Sequence, residues 1–403
     1  MTRKLYVAMC GLPARGKSTL ARRIREGLEA EGRKVAIFNN GDLRRTQLGG
    51  ASSDPSFYHP DNEEGRRQRE YIARENMEHA RAWLQAGGDV AILDATNVSR
   101  ARRAIMEEAL TDYPLLFVES VNDDPVLLET GIERKTLLPE FSRASKAEAV
   151  ASFRKRIAYY DRIYTPLGDE RNWVRVDRVE NRIVSESLSE TVPYYPTIRD
   201  ILVADWVRNL YLVRHGETEY NLVGRIGGDP ALTGKGREQA RSLAAHFRRT
   251  ELPCIFTSTR QRSHQTAAPL CDSRPDSLCM AMPEFDEINA GRCENMRYTE
   301  IMEAMPDEYA ARHRDKFNYA YPGGEGYALL QERVRRGLRR ALFLAGDASA
   351  MVIVGHQAIN RCILSHFLFR RTEDVPYIYI PQNQYYHIVS TQRKKLFELV
   401  RFM

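Results

Sequence analysis

Residues 212–218 read LVRHGET, close to the middle of a 403-residue chain. The apolar run leading into it, Leu210 to Val213, predicts a buried strand, and that strand runs directly into Arg214, His215, Gly216 and Glu217. In open α/β sheets the chemistry sits beyond the C-terminal ends of the strands, which is where this order puts His215. Arg214 can hold a phosphate oxygen through its planar fork. Gly216 lets a bulky anion approach the main chain. A strand and loop of this kind starting so late in the chain predicts a second unit that begins nearby.

Downstream, the same pattern recurs. GRIGGD at 224–229 reads as a loop, and Thr233 caps a helix running to about Arg248. Cys254 to Ser258 is a strand that leads into Arg262. Met351 to Gly355 (MVIVG) is a strand ending in His356, with a helix after it. Strand ends of a parallel sheet share one side, so Arg214, His215, Arg262 and His356 are expected to converge. Glu287, in FDEINAG at 285–291, is the candidate general acid. A neutral imidazole can attack phosphorus and form a phosphohistidine that water cleaves. Arginines offset charge on the transferring group. No metal or other cofactor is required for this half.

Upstream, Lys4 to Cys10 reads as a strand, GLPARGKS at 11–18 as a Gly-rich loop and TLARRIREGLEAEG as a helix. This is the strand–loop–helix context of a P-loop, in which backbone N–H groups cradle phosphates. Lys17 reaches the β/γ-phosphates and Ser18 ligates Mg²⁺. Further strands are read at Lys34–Phe38, Asp89–Leu93, Pro114–Glu119 and Asn172–Asp177, with a long helix from Asn62 to Gln85. The alternation implies a parallel sheet covered on both faces. Asp94, at a strand end, takes the place of a carboxylate that orients Mg²⁺ or the attacking hydroxyl. Arginines 44, 45, 66, 67, 69, 100, 102 and 103 cluster between the strands, in segments read as loops. Arg156 and Tyr160 share a helix face and suit a sugar phosphate. Residues 182–199, with SESLSE and VPYYP, read as a linker. The domains are set at 1–204, with the linker from about 182, and at 205–403.

The formal charge of +6 suits anionic partners, and 43% apolar with 28% charged residues is ordinary for a globular chain. The sequence shows no apolar run of membrane-spanning length and no signal-peptide pattern, so a cytoplasmic protein is expected. Six cysteines without CxxC spacing indicate neither a zinc site nor a disulfide framework. A nucleic-acid end-healing kinase and phosphatase would also suit the basic balance. No basic stripe interleaved with aromatics supports that alternative, and nucleic acid is not an expected partner. A non-catalytic metabolite binder is opposed by the full set Lys17, Asp94, His215, Glu287 and His356.

Taken together, GLPARGKS, PDN at 60–62, LDATN at 93–97, RHGE, GRIGGD, FDEINAG and GHQA at 355–358 resemble one family in their joint order. It is the bifunctional 6-phosphofructo-2-kinase/fructose-2,6-bisphosphatase family. The resemblance runs from about Val7 to Val400. It implies an α/β fold of two domains, a P-loop kinase followed by a histidine phosphatase of the phosphoglycerate-mutase type. It implies ATP with Mg²⁺ as the kinase cofactors, fructose 6-phosphate and fructose 2,6-bisphosphate as ligands, and a homodimer. Gly11, Leu12, Pro13, Ala14, Arg15, Gly16, Lys17, Ser18, Thr19 and Lys135 match nucleotide contacts, with Ser18 on Mg²⁺ and Asp94 in catalysis. Arg45, Arg69, Thr96, Arg102, Arg156 and Tyr160 match contacts of fructose 6-phosphate. His215 matches the nucleophile, Glu287 the proton donor and His356 a supporting histidine, with Arg214 and Arg262 on the 2-phosphate. Asn221, Gly227, Tyr298, Arg312, Lys316, Tyr327, Gln357 and Arg361 match the surroundings of the bisphosphate sugar. Val121, Gly323 and Leu137-Leu138 depart from the familiar animal members. Regulatory phosphorylation on an N-terminal arm or C-terminal tail is not expected from this sequence.

Overall fold

The computed structural model describes residues 3–49, 55–59, 61–136, 141, 145–368 and 371–403. Leu137, Leu138 and Pro60 lie outside these residues. The chain divides into two compact units, Met1–Asp205 and Trp206–Met403. Among the described residues no helix is long and apolar enough to cross a membrane.

The first unit is built on β1 (Leu5–Cys10), whose six residues are all buried. A strand without a polar face must be covered on both sides, which places it in the middle of a parallel sheet. With β2 (Val35–Asn39), β3 (Val90–Asp94), β4 (Leu115–Val121), β5 (Asn172–Asp177) and β6 (Arg182–Leu188), the order is β2-β3-β1-β4-β5-β6. The first five strands are parallel and β6 is antiparallel to β5. Tyr6, Ala8 and Cys10 of β1 pack with Leu93, Phe117, Met77 and Leu84 on one face. Helices fill the connections, and several begin where a polar side chain caps free N–H groups. Asn39, Asn62 and Ser99 do this for the helices Asn40–Leu48, Glu63–Gln85 and Arg100–Ala109.

Those caps correct one expectation. Arg44, Arg45, Arg100, Arg102 and Arg103 stand on these helices rather than in loops, and Arg66, Arg67 and Arg69 stand on the long helix expected from Asn62 to Gln85. A second correction concerns residues 182–199. They contain β6 and then the helix Tyr195–Val203, not a linker. The polar composition of β6 is that of an exposed edge strand. Pro196 stands in the first turn of the helix, where its missing N–H costs nothing. That helix packs against Lys17–Ala30.

The second unit carries β7 (Val207–Arg214), β8 (Cys254–Thr257), β9 (Leu278–Ala281), β10 (Met351–Gly355), β11 (Gln384–Ser390) and β12 (Lys395–Arg401), ordered β12-β11-β7-β10-β8-β9. β7, β10, β8 and β9 run parallel, and β11 and β12 close one edge as an antiparallel pair. Val213, Ile255, Val352 and Val354 share a core with Leu243, Phe247 and Leu270 from the helices on one face.

One buried ion pair locks the first unit. Arg103, 1% exposed, donates to Glu170 Oε1 at 2.5 Å and to the carbonyl of Val98 at 2.8 Å. Burial pushes the Glu170 carboxyl up, but the Gly168 amide and Arg103 together hold it below its usual range. Removing one partner strands the other charge in the core. Arg103→Leu is expected to destabilise this unit by about 3–5 kcal/mol, read as an earlier urea transition. Arg103→Leu/Glu170→Leu recovers part of the loss, and an unshifted transition in the single variant would contradict the assignment.

Candidate functional sites

In the first unit the end of β1 turns into the Gly-rich loop. Gly11 has φ +126°, and a Cβ there would stand 2.5 Å from the Ser120 carbonyl. Gly16, at φ +82°, precedes the helix Lys17–Ala30. Both positions admit glycine for backbone reasons. The Gly11 amide donates to the Thr96 carbonyl at 2.9 Å, tying the loop to the segment after β3. Beneath it lies a cavity of about 490 Å³, walled by Pro13 to Thr19 and by Asp94, Thr96, Arg45, Arg69, Arg102, Lys135, Arg156 and Tyr160. Gly11 and Leu12 shape the loop from behind that wall. The structure thus gathers the expected residues of the first unit around one space.

Electrostatics divide this cavity. Lys17 is 8% exposed and donates to the Leu12 carbonyl at 2.6 Å. Burial lowers its pKa to about 7, against the opposing pull of Asp94. Lys135, in the last turn of the helix Pro125–Thr136, is lowered by burial too, with Arg156, Arg22 and Arg45 adding to the effect and Asp94 opposing it. Asp94 is itself buried and accepts from Asn39 Nδ2 at 2.6 Å. Two carboxylates of the wall, Asp94 and Glu70, therefore face many cations, and the balance is made up when an anion enters. A single carboxylate and the Ser18 hydroxyl would be a poor cage for a metal alone. Among the described residues no group of three or more acidic, His or Cys side chains is arranged to hold a metal ion. The pair does fit Mg²⁺, which keeps several waters and is held jointly by protein and phosphate oxygens. Asn39 and Tyr58 are wall residues that sequence reading missed. Asn39 ends β2 beside Asp94 in the register, a position that strand order alone reveals. Of the eight arginines, Arg67 and Arg100 pair at the surface with Glu63 and Asp169, and Arg103 belongs to the core.

In the second unit β7 and β10 are parallel neighbours with Arg214 opposite Gly355. His215 and His356 follow directly, and their ring centroids are 5.1 Å apart. The amide of His215 donates to the Gly355 carbonyl at 3.0 Å. His215 Nδ1 lies 2.8 Å from the Gly216 carbonyl. A carbonyl only accepts, so Nδ1 carries the hydrogen and Nε2 keeps its lone pair. Burial, then Arg262 and Arg214, push the pKa of His215 well below the usual histidine range. The ring is neutral at pH 7, the state a nucleophile needs.

His356 is fully buried. Arg262 Nε donates to its Nδ1 at 3.2 Å, so Nε2 carries the hydrogen and donates to Ser258 Oγ at 2.7 Å. It stands behind the cavity wall and acts on Arg262. Arg262 also donates to the Gly228 carbonyl at 2.8 Å. Glu287 accepts from the amides of Gln357 and Ala358, at 3.0 and 3.3 Å, in the first turn of the helix Gln357–Phe367. These residues open on a cavity of about 140 Å³. Its wall holds Arg214, His215, Asn221, Gly227, Arg262, Glu287, Tyr298, Arg312, Lys316, Tyr327, Gln357 and Arg361.

The far end of this cavity is basic. Lys316 is lowered to about 8 by burial, then by Arg312 and Arg361. Arg312 is held by Tyr298 and Tyr321, both at 2.9 Å, and Arg361 by the Tyr327 hydroxyl at 2.9 Å. Gly323 has φ +69° with open space around a would-be Cβ, so a lysine there would meet backbone strain rather than a clash. Ser258, Tyr321 and Gln382 are contributors that sequence reading missed. Ser258 follows β8 at the edge that carries both histidines, a signal visible in CIFTS. Gln382 donates to the His215 carbonyl at 3.2 Å and to Asn221 Oδ1 at 2.9 Å. Nothing in its local sequence points there.

The comparisons with known proteins agree for both units. The sequence profile of 6-phosphofructo-2-kinase matches residues 1–192, and that of the histidine phosphatase superfamily (branch 1) matches residues 210–402. A curated relative from Rattus norvegicus, named 6-phosphofructo-2-kinase/fructose-2,6-bisphosphatase 3, is 34% identical over 93% of this chain and 68% of its own length. The Gallus gallus protein of that name without the numeral is 35% identical over 93% of this chain and 80% of its own. With a P-loop cavity in one unit and a neutral histidine between two arginines in the other, the chain belongs to the bifunctional 6-phosphofructo-2-kinase/fructose-2,6-bisphosphatase family.

Proposed function

We propose that the two units make and destroy the same compound, fructose 2,6-bisphosphate. One observation carries the reading. A single chain holds a P-loop cavity that continues into an arginine-lined end, and separately a histidine whose Nε2 is free beside two arginines. The first suits phosphoryl transfer to an anionic sugar, and the second suits removal of a phosphoryl group.

In the kinase unit ATP is the phosphoryl donor, and Mg²⁺, when bound, would neutralise charge on its phosphates. The amides of Ala14 to Thr19 cradle the phosphates at the helix N-terminus. Lys17 exchanges the Leu12 carbonyl for a phosphate oxygen. Ser18 and Asp94 would hold the metal, and Asp94 is also placed to orient the 2-hydroxyl of fructose 6-phosphate. Arg45, Arg69, Thr96, Arg102, Arg156 and Tyr160 bind that sugar phosphate, and Lys135 the nucleotide phosphates.

In the phosphatase unit, His215 Nε2 attacks the 2-phosphorus of fructose 2,6-bisphosphate, and the bond from phosphorus to the sugar oxygen breaks. Arg214 and Arg262 stabilise the equatorial oxygens. Glu287 protonates the leaving alkoxide and then takes a proton from the water that cleaves the phosphohistidine. Asn221, Gly227 and Gln357 surround the sugar, while Tyr298, Arg312, Lys316, Tyr327 and Arg361 take the remaining phosphate. A cytoplasmic homodimer belongs to the same reading, supported by family membership.

Incubation with Mg-ATP and fructose 6-phosphate should yield an acid-labile sugar bisphosphate; no product from a folded sample would sink the kinase half. Lys17→Ala should cut synthesis by about 10²–10³-fold, the scale of one lost electrostatic stabiliser, and spare hydrolysis. His215→Ala should do the reverse, lowering hydrolysis by at least about 10³-fold and raising net product. Normal hydrolysis by that variant would refute the nucleophile assignment.

The depressed Lys17 pKa gives a second test. The free site holds Lys17 near pKa 7. A polyphosphate favours the ammonium and raises that pKa, so the complex holds more protons than the free enzyme. ATP binding should take up a proton at pH 7–8 and weaken as pH rises through this range. Calorimetry in two buffers of different ionisation enthalpy reads the uptake. Equal apparent enthalpies would contradict the prediction.

A further inference from the structure

Tyr58 closes the short helical turn Pro55–Tyr58 and lies in the wall of the P-loop cavity. It is 2% exposed, and among the described residues its hydroxyl has no hydrogen-bond partner. Burying an unpaired hydroxyl is costly, so native proteins rarely keep one without a use. The ring has a second peculiarity. The guanidinium of Arg156 lies 4.0 Å from its centroid, that of Arg44 at 5.5 Å and that of Arg69 at 5.7 Å. The Tyr160 ring lies 6.2 Å away. Three like charges on one ring repel one another, and the ring's negative faces hold them together. None of these contacts is to the Gly-rich loop. Tyr58 therefore serves the arginine end of the cavity, where a phosphate monoester would sit, rather than the nucleotide end.

We propose that Tyr58 binds and orients the sugar-phosphate acceptor: its hydroxyl donates a hydrogen bond to an acceptor oxygen, and its ring fixes the Arg156 guanidinium for the acceptor's phosphate. The proposal rests on reading the first unit as a kinase for fructose 6-phosphate.

The test is steady-state kinetics of the full chain with fructose 6-phosphate and Mg-ATP. Tyr58→Phe keeps the ring and deletes only the hydroxyl. Its KM for fructose 6-phosphate should rise about tenfold, equivalent to about 1.4 kcal/mol, the scale of a hydrogen bond to a charged group. The KM for ATP and kcat should stay within about twofold, small against that tenfold step. Because the hydroxyl has no partner among the described residues, the melting temperature should not fall. Tyr58→Leu removes the ring as well, and its KM for fructose 6-phosphate should rise about tenfold beyond the phenylalanine variant. A cooperative thermal transition of the kinase unit in each full-length variant reports folding.

An unchanged fructose 6-phosphate KM in Tyr58→Phe, or a rise confined to the ATP KM, overturns the role of the hydroxyl. Equal effects of the two variants overturn the role of the ring. Wild type that makes no bisphosphate overturns the kinase reading itself, an outcome distinct from a turning-over enzyme that ignores Tyr58.

Discussion

Two strands that run side by side in the same direction must end on the same side of their sheet, and both sites depend on this constraint. The pairing of β7 with β10, Arg214 opposite Gly355, is what makes neighbours of His215 and His356, which are far apart in sequence. The pairing of β1 with β3 likewise brings the loop after Cys10 beside Asp94. Parallel pairing requires crossovers, and the crossovers are the helices that bring in the arginines. The hydrogen-bond ladder thus decides which side chains meet before any side chain has chosen a partner.

Burial then assigns protonation states. Lys17 and His215 are both pushed toward neutrality by desolvation, but with opposite use in the proposed chemistry. For His215 the neutral form is the working form, and the Gly216 carbonyl selects the tautomer with Nε2 free. For Lys17 the charged form is the working form, and it is restored by the phosphates it meets. Arg214 and Arg262 keep their charge under comparable burial because guanidinium stays protonated at any working pH. Arginine beside a nucleophilic histidine therefore depresses the histidine without being silenced by it.

The motif-bearing strands were legible because each is a continuous apolar run ending in a chemically loaded loop. Lys17, Asp94, His215, Arg262 and His356 could be placed from that alone, since strand ends of one parallel sheet share an edge. What escaped was geometry carried by side chains from elsewhere. Residues 182–199 look like a linker because the edge strand is polar in sequence and the helix after it opens on a proline. The arginine segments at 44–45 and 100–103 look like loops because their caps, Asn39 and Ser99, are residues equally at home in turns. Gln382 reaches His215 and Asn221 across the sheet with no local motif at all. Tyr58 is one aromatic among twenty tyrosines until the structure places Arg156 on its face.

The cavities differ in size as their proposed contents do. About 490 Å³ in the first unit suits two reactants at once, and about 140 Å³ in the second suits part of one. Their cations are arranged differently too. In the smaller cavity Arg312 and Arg361 are tethered by tyrosine hydroxyls, so their positions are fixed by hydrogen bonds made before any ligand arrives. In the larger one the guanidiniums of Arg156, Arg44 and Arg69 gather around the ring of Tyr58, an attraction that is weak in direction. A hydrolase that must hold one rigid bisphosphate gains from fixed donors. A kinase that must admit a nucleotide and then an acceptor gains from cations held near the site yet able to adjust. Arg312 also lies over the Tyr298 ring, at 4.6 Å, so the two sites differ by the hydroxyl hydrogen bonds that the smaller one adds to ring contacts.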